Sequence, residues 1–130
     1  MAIMPYTEDH ALVQPWLRMP ATAAEVYTRG EALTLASGAV TKQSGANKPQ
    51  YLSMSETVDE DSQLHASYIS DDAIFIGELS ADDATLAVGS KLNLDDTGTK
   101  FVSDASGTVA VVEKVLGTKA GDKVLVRFIK

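Results

Sequence analysis

The chain has 130 residues, no cysteine and a formal net charge of −7 at pH 7. The missing cysteines exclude disulfide bonds, thiolate metal ligands and cysteine nucleophiles. The negative charge and the scattered basic residues argue against direct binding to nucleic acid or to an anionic membrane surface, because both need clustered Lys and Arg.

The first twenty residues differ from the rest of the chain. Three prolines interrupt them, Pro5, Pro15 and Pro20, and each disfavours helix at the residue before it. The segment is nevertheless apolar, so we predict an extended N-terminal arm, residues 1–20, before a single β domain, residues 21–130. The arm packs either on its own domain or on another subunit or partner. In the second case the contact residues are Tyr6, Leu12, Trp16, Leu17 and Met19, with Trp16 as the anchor.

A short pattern occurs twice in the domain. Residues 30–35 and 89–94 each begin with glycine and continue with alternating apolar residues, and a turn and a short strand follow each copy. Two copies are too few for a solenoid, which needs three or more. We therefore predict two similar β-hairpins in one barrel or sandwich. We also predict strand at Val26 and Tyr27, just before the first copy.

The middle of the chain contains short strand patterns. A strand is predicted over residues 49–54, with its proline at the start, where a missing N–H is tolerated. Residues 65–70 and 73–79 are two further predicted strands, and apolar residues on both faces indicate that the second is central. No long helical period occurs, so any helix is limited to a turn or two near 8–17 or 81–86.

The C-terminal stretch, residues 108–130, has the most regular pattern. Two β-rich runs flank a Gly-bounded connector, which predicts a β-hairpin. In the second run Val124, Val126 and Phe128 share one face of a strand, and Leu125 lies on the other face. This hairpin is predicted to be a central strand pair. The chain as a whole is predicted to be all-β, a small barrel or sandwich of short antiparallel strands.

Acidic doublets recur at residues 59–61, 71–72, 82–83 and 95–96. Calcium binds several oxygen ligands, but the spaced acidic loop of an EF-hand is absent. Because the doublets lie beside predicted turns, where Asp is favoured for backbone reasons, solvated turns are the preferred interpretation.

No motif in the sequence predicts catalysis. His10 and His65 are the only histidines, and neither belongs to a zinc-ligand pattern. The sequence contains no nucleophile elbow, phosphate loop or dinucleotide fingerprint. We therefore predict no catalytic residues, no metal and no cofactor, and favour a protein whose work is assembly.

Several segments together resemble a family of small bacteriophage head proteins that decorate or cement the capsid. Such proteins show an Ala-rich approach, a Gly-x-Ala-Leu-x-Leu-x-x-Gly segment, a Pro-x-Tyr strand and a terminal Gly-Asp-x-Val-x-Val-Arg-Phe strand. The matching segments here are residues 21–24, 30–38, 49–54 and 121–128.

The resemblance implies a structural virion protein that binds the outer capsid surface, often as a homotrimer at three-fold positions. It would clamp neighbouring major capsid protein subunits against the pressure of the packaged DNA. The first ten residues have no basic or apolar signal region, and no apolar run approaches the ~20 residues of a membrane span, so we expect synthesis in the host cytoplasm.

A carbohydrate- or receptor-binding β module, such as part of a phage fibre, is the alternative function. An exposed aromatic near an acidic loop, such as Tyr68 by Asp71, would stack on a sugar. Tyr is also a common strand residue, so packing within the sheet is the simpler account of Tyr68.

Overall fold

The computed structural model describes residues 3–6, 16–70 and 73–129. Within these ranges the regular structure consists of eleven β-strands and no helix, which confirms the predicted all-β class. The strands are β1 (Met4–Tyr6), β2 (Trp16–Pro20), β3 (Ala32–Ala36), β4 (Ala39–Lys42), β5 (Tyr51–Ser53), β6 (Gln63–Tyr68), β7 (Ile74–Glu78), β8 (Lys91–Leu94), β9 (Phe101–Ser103), β10 (Ala110–Val115) and β11 (Lys123–Phe128).

The strands form two antiparallel sheets. One sheet has the order β1-β7-β11-β10-β8-β9, and the other has the order β2-β6-β5-β3-β4. Both are open, which makes the fold a small sandwich and decides between the two predicted architectures. A single parallel bridge joins Ala21, just after β2, to Val40 of β4, the strand at the other end of the same sheet. Another joins Leu79, just after β7, to Phe101 of β9.

The C-terminal hairpin occupies the centre of the six-stranded sheet, as predicted. β11 lies between β7 and β10, and β10 lies between β11 and β8. Val124, Val126 and Phe128 are buried on one face, and Leu125 is only 6% exposed on the other. The register between β10 and β11 shifts at Glu113, which is the signature of a β-bulge.

The main core lies between the two sheets. The rings of Phe75 and Phe101 both pack on Phe128, with centroids 5.1 and 5.9 Å apart. Ala32 and Leu52 of the five-stranded sheet belong to the same buried cluster. Burying side chains of this size stabilises a fold by about 1.5–3 kcal/mol each before entropy is subtracted, so the contact between the sheets is a main source of stability.

A second, smaller core covers the opposite face of the five-stranded sheet. It contains Leu33, Val40 and Leu64 with the buried ring of Tyr27. Strand at Val26 and Tyr27 was a wrong prediction, because these residues form a loop that lies over the sheet. The Tyr27 hydroxyl donates to the Val40 carbonyl at 3.1 Å, and this bond attaches the loop.

The repeated pattern forms two β-hairpins, as predicted. β3 pairs with β4, and β8 pairs with β9, each at the end of its sheet. In the first hairpin Ser37 and Gly38 both have positive φ, 52° and 82°, which is the type I′ geometry favoured in two-residue hairpin turns.

The two hairpins are also bonded to each other across the sandwich. The amide of Ala32, on β3, donates to the carbonyl of Gly98, in the β8–β9 turn, at 2.8 Å. Beside it the Leu94 amide donates to Gly45, in the loop after β4, at 2.9 Å. A Cβ on Gly98 would lie 2.3 Å from the carbonyl oxygen of Gln43. The close approach of the two sheets therefore requires glycine at position 98.

The N-terminal segment contributes one strand to each sheet. β1 pairs with β7, and β2 pairs with β6. Ile3 is fully buried, and its amide donates to the Gly30 carbonyl at 3.1 Å. These parts of the predicted arm therefore pack on the chain's own body. Of the possible helix near 8–17, residues 16 and 17 are strand, while residues 8–15, with Leu12, lie outside the described residues.

Residues 81–86 form a loop, which settles the choice left open by the sequence. The described ranges contain no helix that is long and apolar enough to cross a membrane.

Replacing Gly98 by Ala tests the bond between the hairpins. The matched control is Gly89→Ala, because Gly89 also has positive φ, 91° against 71°, but nothing lies within 4 Å of its added Cβ. Both variants place Ala in the left-handed region, which costs about 1–2 kcal/mol. Gly98→Ala adds an overpacking cost of about 1–3 kcal/mol, so urea unfolding should show it to be clearly the less stable. Equal stability of the two variants would contradict the tight approach.

Candidate functional site

Strand β2 is unusually exposed for an apolar strand. Trp16 is 52% exposed and Leu17 is 41% exposed, although both are hydrogen-bonded into a sheet. β2 is the end strand of its sheet, and its outer edge is unpaired over Trp16–Pro20 among the described residues; directly after it, Ala21 bridges Val40 of β4. Exposed apolar groups and an open edge are typical features of interaction surfaces. We define Trp16–Pro20 as the β2 surface.

The five residues predicted as partner contacts do not form one face. Trp16 and Leu17 are successive strand residues, so their side chains lie on opposite faces of the sheet. Met19 lies on the face of Leu17 and packs partly against the second core. Tyr6 belongs to β1 in the other sheet, its side chain is not described, and Leu12 is outside the described residues. The structure therefore brings together Leu17 and Met19, with Trp16 on the other face.

Trp16 has two neighbours that the sequence did not predict. The ring of His65, on β6, has its centroid 6.4 Å from the Trp16 ring. The guanidinium carbon of Arg29 lies 5.8 Å from the centroid of Trp16, which is within the range of a cation–π contact. Both neighbours are exposed. The pairing of β2 with β6 brings His65 to Trp16, and the loop before β3 brings Arg29; neither contact is visible in the sequence.

The positive charge of Arg18 is paired with two carboxylates in the loop after β5. Its Nη2 lies 2.7 Å from Asp59 Oδ2 and 3.4 Å from Asp61 Oδ2. The hydrogen bond from Arg18 is the main reason that the pKa of Asp59 is below its usual value. Such exposed pairs add little stability, but this one fixes the side chain of Arg18 away from other partners.

Ser67 is a buried polar group directly beside Trp16. The two residues are register partners in the β2–β6 pair, so their side chains share a face. Ser67 is fully buried, and its Oγ has no hydrogen-bond partner among the described residues. Buried hydroxyls nearly always have a partner, so the position next to Trp16 has unused hydrogen-bonding capacity.

The acidic doublets of the described ranges act in turns, which confirms the preferred interpretation for three of them. Asp95 Oδ1 accepts from the Thr97 hydroxyl at 2.7 Å, and Asp83 Oδ1 accepts from the Thr85 hydroxyl at 2.8 Å. The residues 71–72 lie outside the described part. In the described residues no group of three or more His, Asp or Glu is placed to hold a metal ion.

Glu31 is the one charged residue buried in the described chain, at 3% exposure. Its Oε1 accepts from the Thr28 amide at 2.9 Å, and its Oε2 lies 3.6 Å from Lys42 Nζ. Burial raises the pKa of Glu31 above its ordinary value, and the Thr28 amide and Lys42 oppose the shift. Because Thr28 belongs to the loop over the second core and Lys42 to β4, this carboxylate joins the loop to the sheet.

A shallow open cavity of about 330 Å³ is lined by polar residues, Asp83, Thr85, Ser90, Lys91 and Ser103 among them. Hydrogen bonds from Ser103 and then from Thr85 lower the pKa of Asp83, so its carboxylate is already used as an acceptor. His65 is on the other sheet. The hydroxyls beside Asp83 therefore have no imidazole base among the described residues, and the β2 surface is the stronger candidate site.

Replacing Glu31 by Gln tests the buried carboxylate. A raised pKa means that the folded state favours the protonated form, so this group's contribution to stability increases as pH falls from neutral through the folded pKa. Glu31→Gln mimics the neutral form and should be within about 1 kcal/mol of the native chain, or more stable, at pH 7. Any difference in unfolding free energy in favour of Glu31→Gln should shrink as the pH falls towards 4.5, because the native Glu31 then takes up a proton. Thermal unfolding across this pH range measures the difference.

Lys42→Met is the companion variant, because it leaves Glu31 buried without its cation. Its stability deficit should be largest at pH 7 and smaller in acid, as Glu31 takes up a proton. A deficit that is independent of pH would contradict the ion pair.

Comparison with known proteins gives no family assignment: no family model matches the chain, and no curated protein matches it.

Proposed function

We propose that the chain is a capsid decoration protein. It binds the outer surface of a bacteriophage head and stabilises contacts between major capsid protein subunits, without catalysing a reaction. The observation that carries this proposal is the exposure of Trp16 and Leu17 on a strand at the edge of a sheet. A half-exposed tryptophan on a paired strand adds little to the chain's own core, whereas exposed apolar groups and tryptophan in particular are common at binding interfaces.

The segments that resemble decoration proteins support the proposal through their positions in the fold. Residues 30–38 contain β3 and its hairpin turn, residues 49–54 contain β5, and residues 121–128 contain β11. β3 pairs directly with β5, and β11 is at the centre of the other sheet. The resembling segments are thus the structural centre of the sandwich, whereas the proposed contact lies on a strand outside them.

Charge and copy number are consistent with this role. A net charge of −7 disfavours contact with the packaged genome and suits an outward-facing protein. Many copies on one shell convert modest individual contacts into strong overall attachment through multivalency.

Self-association as a homotrimer is part of the proposal. Beyond β2, large apolar side chains are exposed at Val26 and Val88, at 76% and 69%. Symmetric association commonly covers such groups.

The alternative, a carbohydrate-binding module, has less support. Tyr68 lies on β6, and its ring packs edge-on against Tyr51 with centroids 5.6 Å apart. Packing within the sheet accounts for this residue. A glycan array with specific hits would restore the alternative.

Binding to heads tests the proposed function directly. Purified chain is incubated with heads of the phage that encodes it, prepared without it, and the heads are sedimented. We expect saturable co-sedimentation and a higher temperature of head disruption. Trp16→Ala should weaken binding about tenfold or more, the loss typical of an interface anchor. Leu116→Ala removes an exposed apolar side chain just after β10, in the other sheet, and serves as the control.

The absence of saturable binding by the native chain would overturn the proposed function. If Trp16→Ala and Leu116→Ala lose the same amount of affinity for heads, decoration stands, but the contact does not lie on β2.

Light scattering tests the oligomeric state separately. We expect a mass near three times the 13.8 kDa of the chain at micromolar concentration. A mass of one chain over the whole accessible concentration range would contradict trimer formation in solution.

A further inference from the structure

Arg29 is the exception among the three arginines of the chain. Arg18 pairs with Asp59 and Asp61, and Arg127 pairs with Glu113. Arg29 has no ion-pair partner among the described residues, although the chain carries 18 acidic residues against 11 basic ones.

The partner of Arg29 within the chain is an aromatic ring. Its guanidinium carbon lies 5.8 Å from the centroid of Trp16. A cation–π contact uses the flat face of the guanidinium and leaves its N–H donors at the rim available. These donors form a planar fork that matches a carboxylate, and Lys cannot reproduce this geometry.

A second polar group lies at the same place. Ser67 is the register partner of Trp16, is fully buried, and has an Oγ without a hydrogen-bond partner in the described residues. The position thus combines an unpaired cation, an exposed indole and an unused hydroxyl. A charged acceptor with an apolar flank would use the cation and the indole together.

We propose that the Trp16–Arg29–His65 surface binds a carboxylate side chain, Asp or Glu, of the major capsid protein, with the apolar part of that residue against Trp16. This inference rests on the proposed function and names the chemistry of its contact. Charge complementarity selects the occupant, because the unpaired charge is positive. A polyanion such as nucleic acid is disfavoured by the net charge of −7. A neutral sugar would use Trp16 and leave Arg29 unpaired.

Co-sedimentation with undecorated heads, at 50 and 300 mM NaCl, tests the inference. Arg29→Gln should weaken binding about tenfold at low salt, the size expected when a charge-assisted hydrogen bond is lost. It should also reduce the salt dependence of binding, because one charge pair is removed. Arg29→Lys keeps the charge but not the planar fork and should fall between Arg29→Gln and the native chain.

Lys119→Gln is the matched control. This variant removes one exposed cation, whose Nζ lies 3.8 Å from Asp82 Oδ2 in the loops of the six-stranded sheet. Its affinity for heads should be within twofold of that of the native chain. Arg29→Gln should also lower the melting temperature only slightly, since Arg29 is exposed, has no ion pair among the described residues and loses only its contact with Trp16.

The outcomes separate this inference from the proposed function. If the native chain does not bind heads, decoration itself fails, and the carboxylate contact fails with it. If the native chain binds but Arg29→Gln behaves like Lys119→Gln, decoration stands and the carboxylate contact is overturned. Loss in Trp16→Ala with none in Arg29→Gln would likewise overturn it, in favour of an apolar or sugar contact.

Discussion

The hydrogen bonds between the two hairpins are the constraint on which the sandwich depends. The Ala32 amide reaches the Gly98 carbonyl, and the backbone of Gln43 lies where a side chain at position 98 would be. This approach holds the ends of both sheets together, and it places Ala32 and Leu52 over the core of the six-stranded sheet. Strand β2 is at the other end of the strand order of the five-stranded sheet, and Ala21, which follows it, bridges Val40 of β4.

The exposure of β2 follows from this arrangement. Ala32 of β3 and Leu52 of β5 belong to the main core, and their neighbours Leu33 and Tyr51 pack in the second core, so both faces are covered at these positions. β2 is separated from them by β6, and only Met19 reaches the second core. Trp16 is therefore held rigidly by backbone pairing, but its side chain projects beyond the core. Rigid presentation reduces the entropy lost when a partner binds.

Much of the fold was predictable from the sequence because its signals are local. The period-2 pattern of Val124, Val126 and Phe128 predicts a central strand, and the Ser37–Gly38 turn predicts a hairpin. The sandwich arrangement was not predictable, because the pairing of β1 and β2 with different sheets depends on contacts between residues that are distant in the sequence. The loop at Val26 and Tyr27 was missed for a related reason. Tyr27 is buried because its ring packs in the second core and its hydroxyl bonds to the Val40 carbonyl, and not because it pairs with a neighbouring strand.

The candidate site was predicted only in part. Apolar composition identified Trp16 and Leu17, but sequence cannot tell which face of a strand a partner meets. Arg29 and His65 join Trp16 only through the β2–β6 register and the loop before β3, and no local motif marks them. The most direct measurement of the account is an electron cryomicroscopy reconstruction of heads saturated with this chain. It should show the sandwich on the outer surface with Trp16 and Arg29 against the major capsid protein. A surface without added density, or a bound sandwich with these two residues facing solvent, would contradict it.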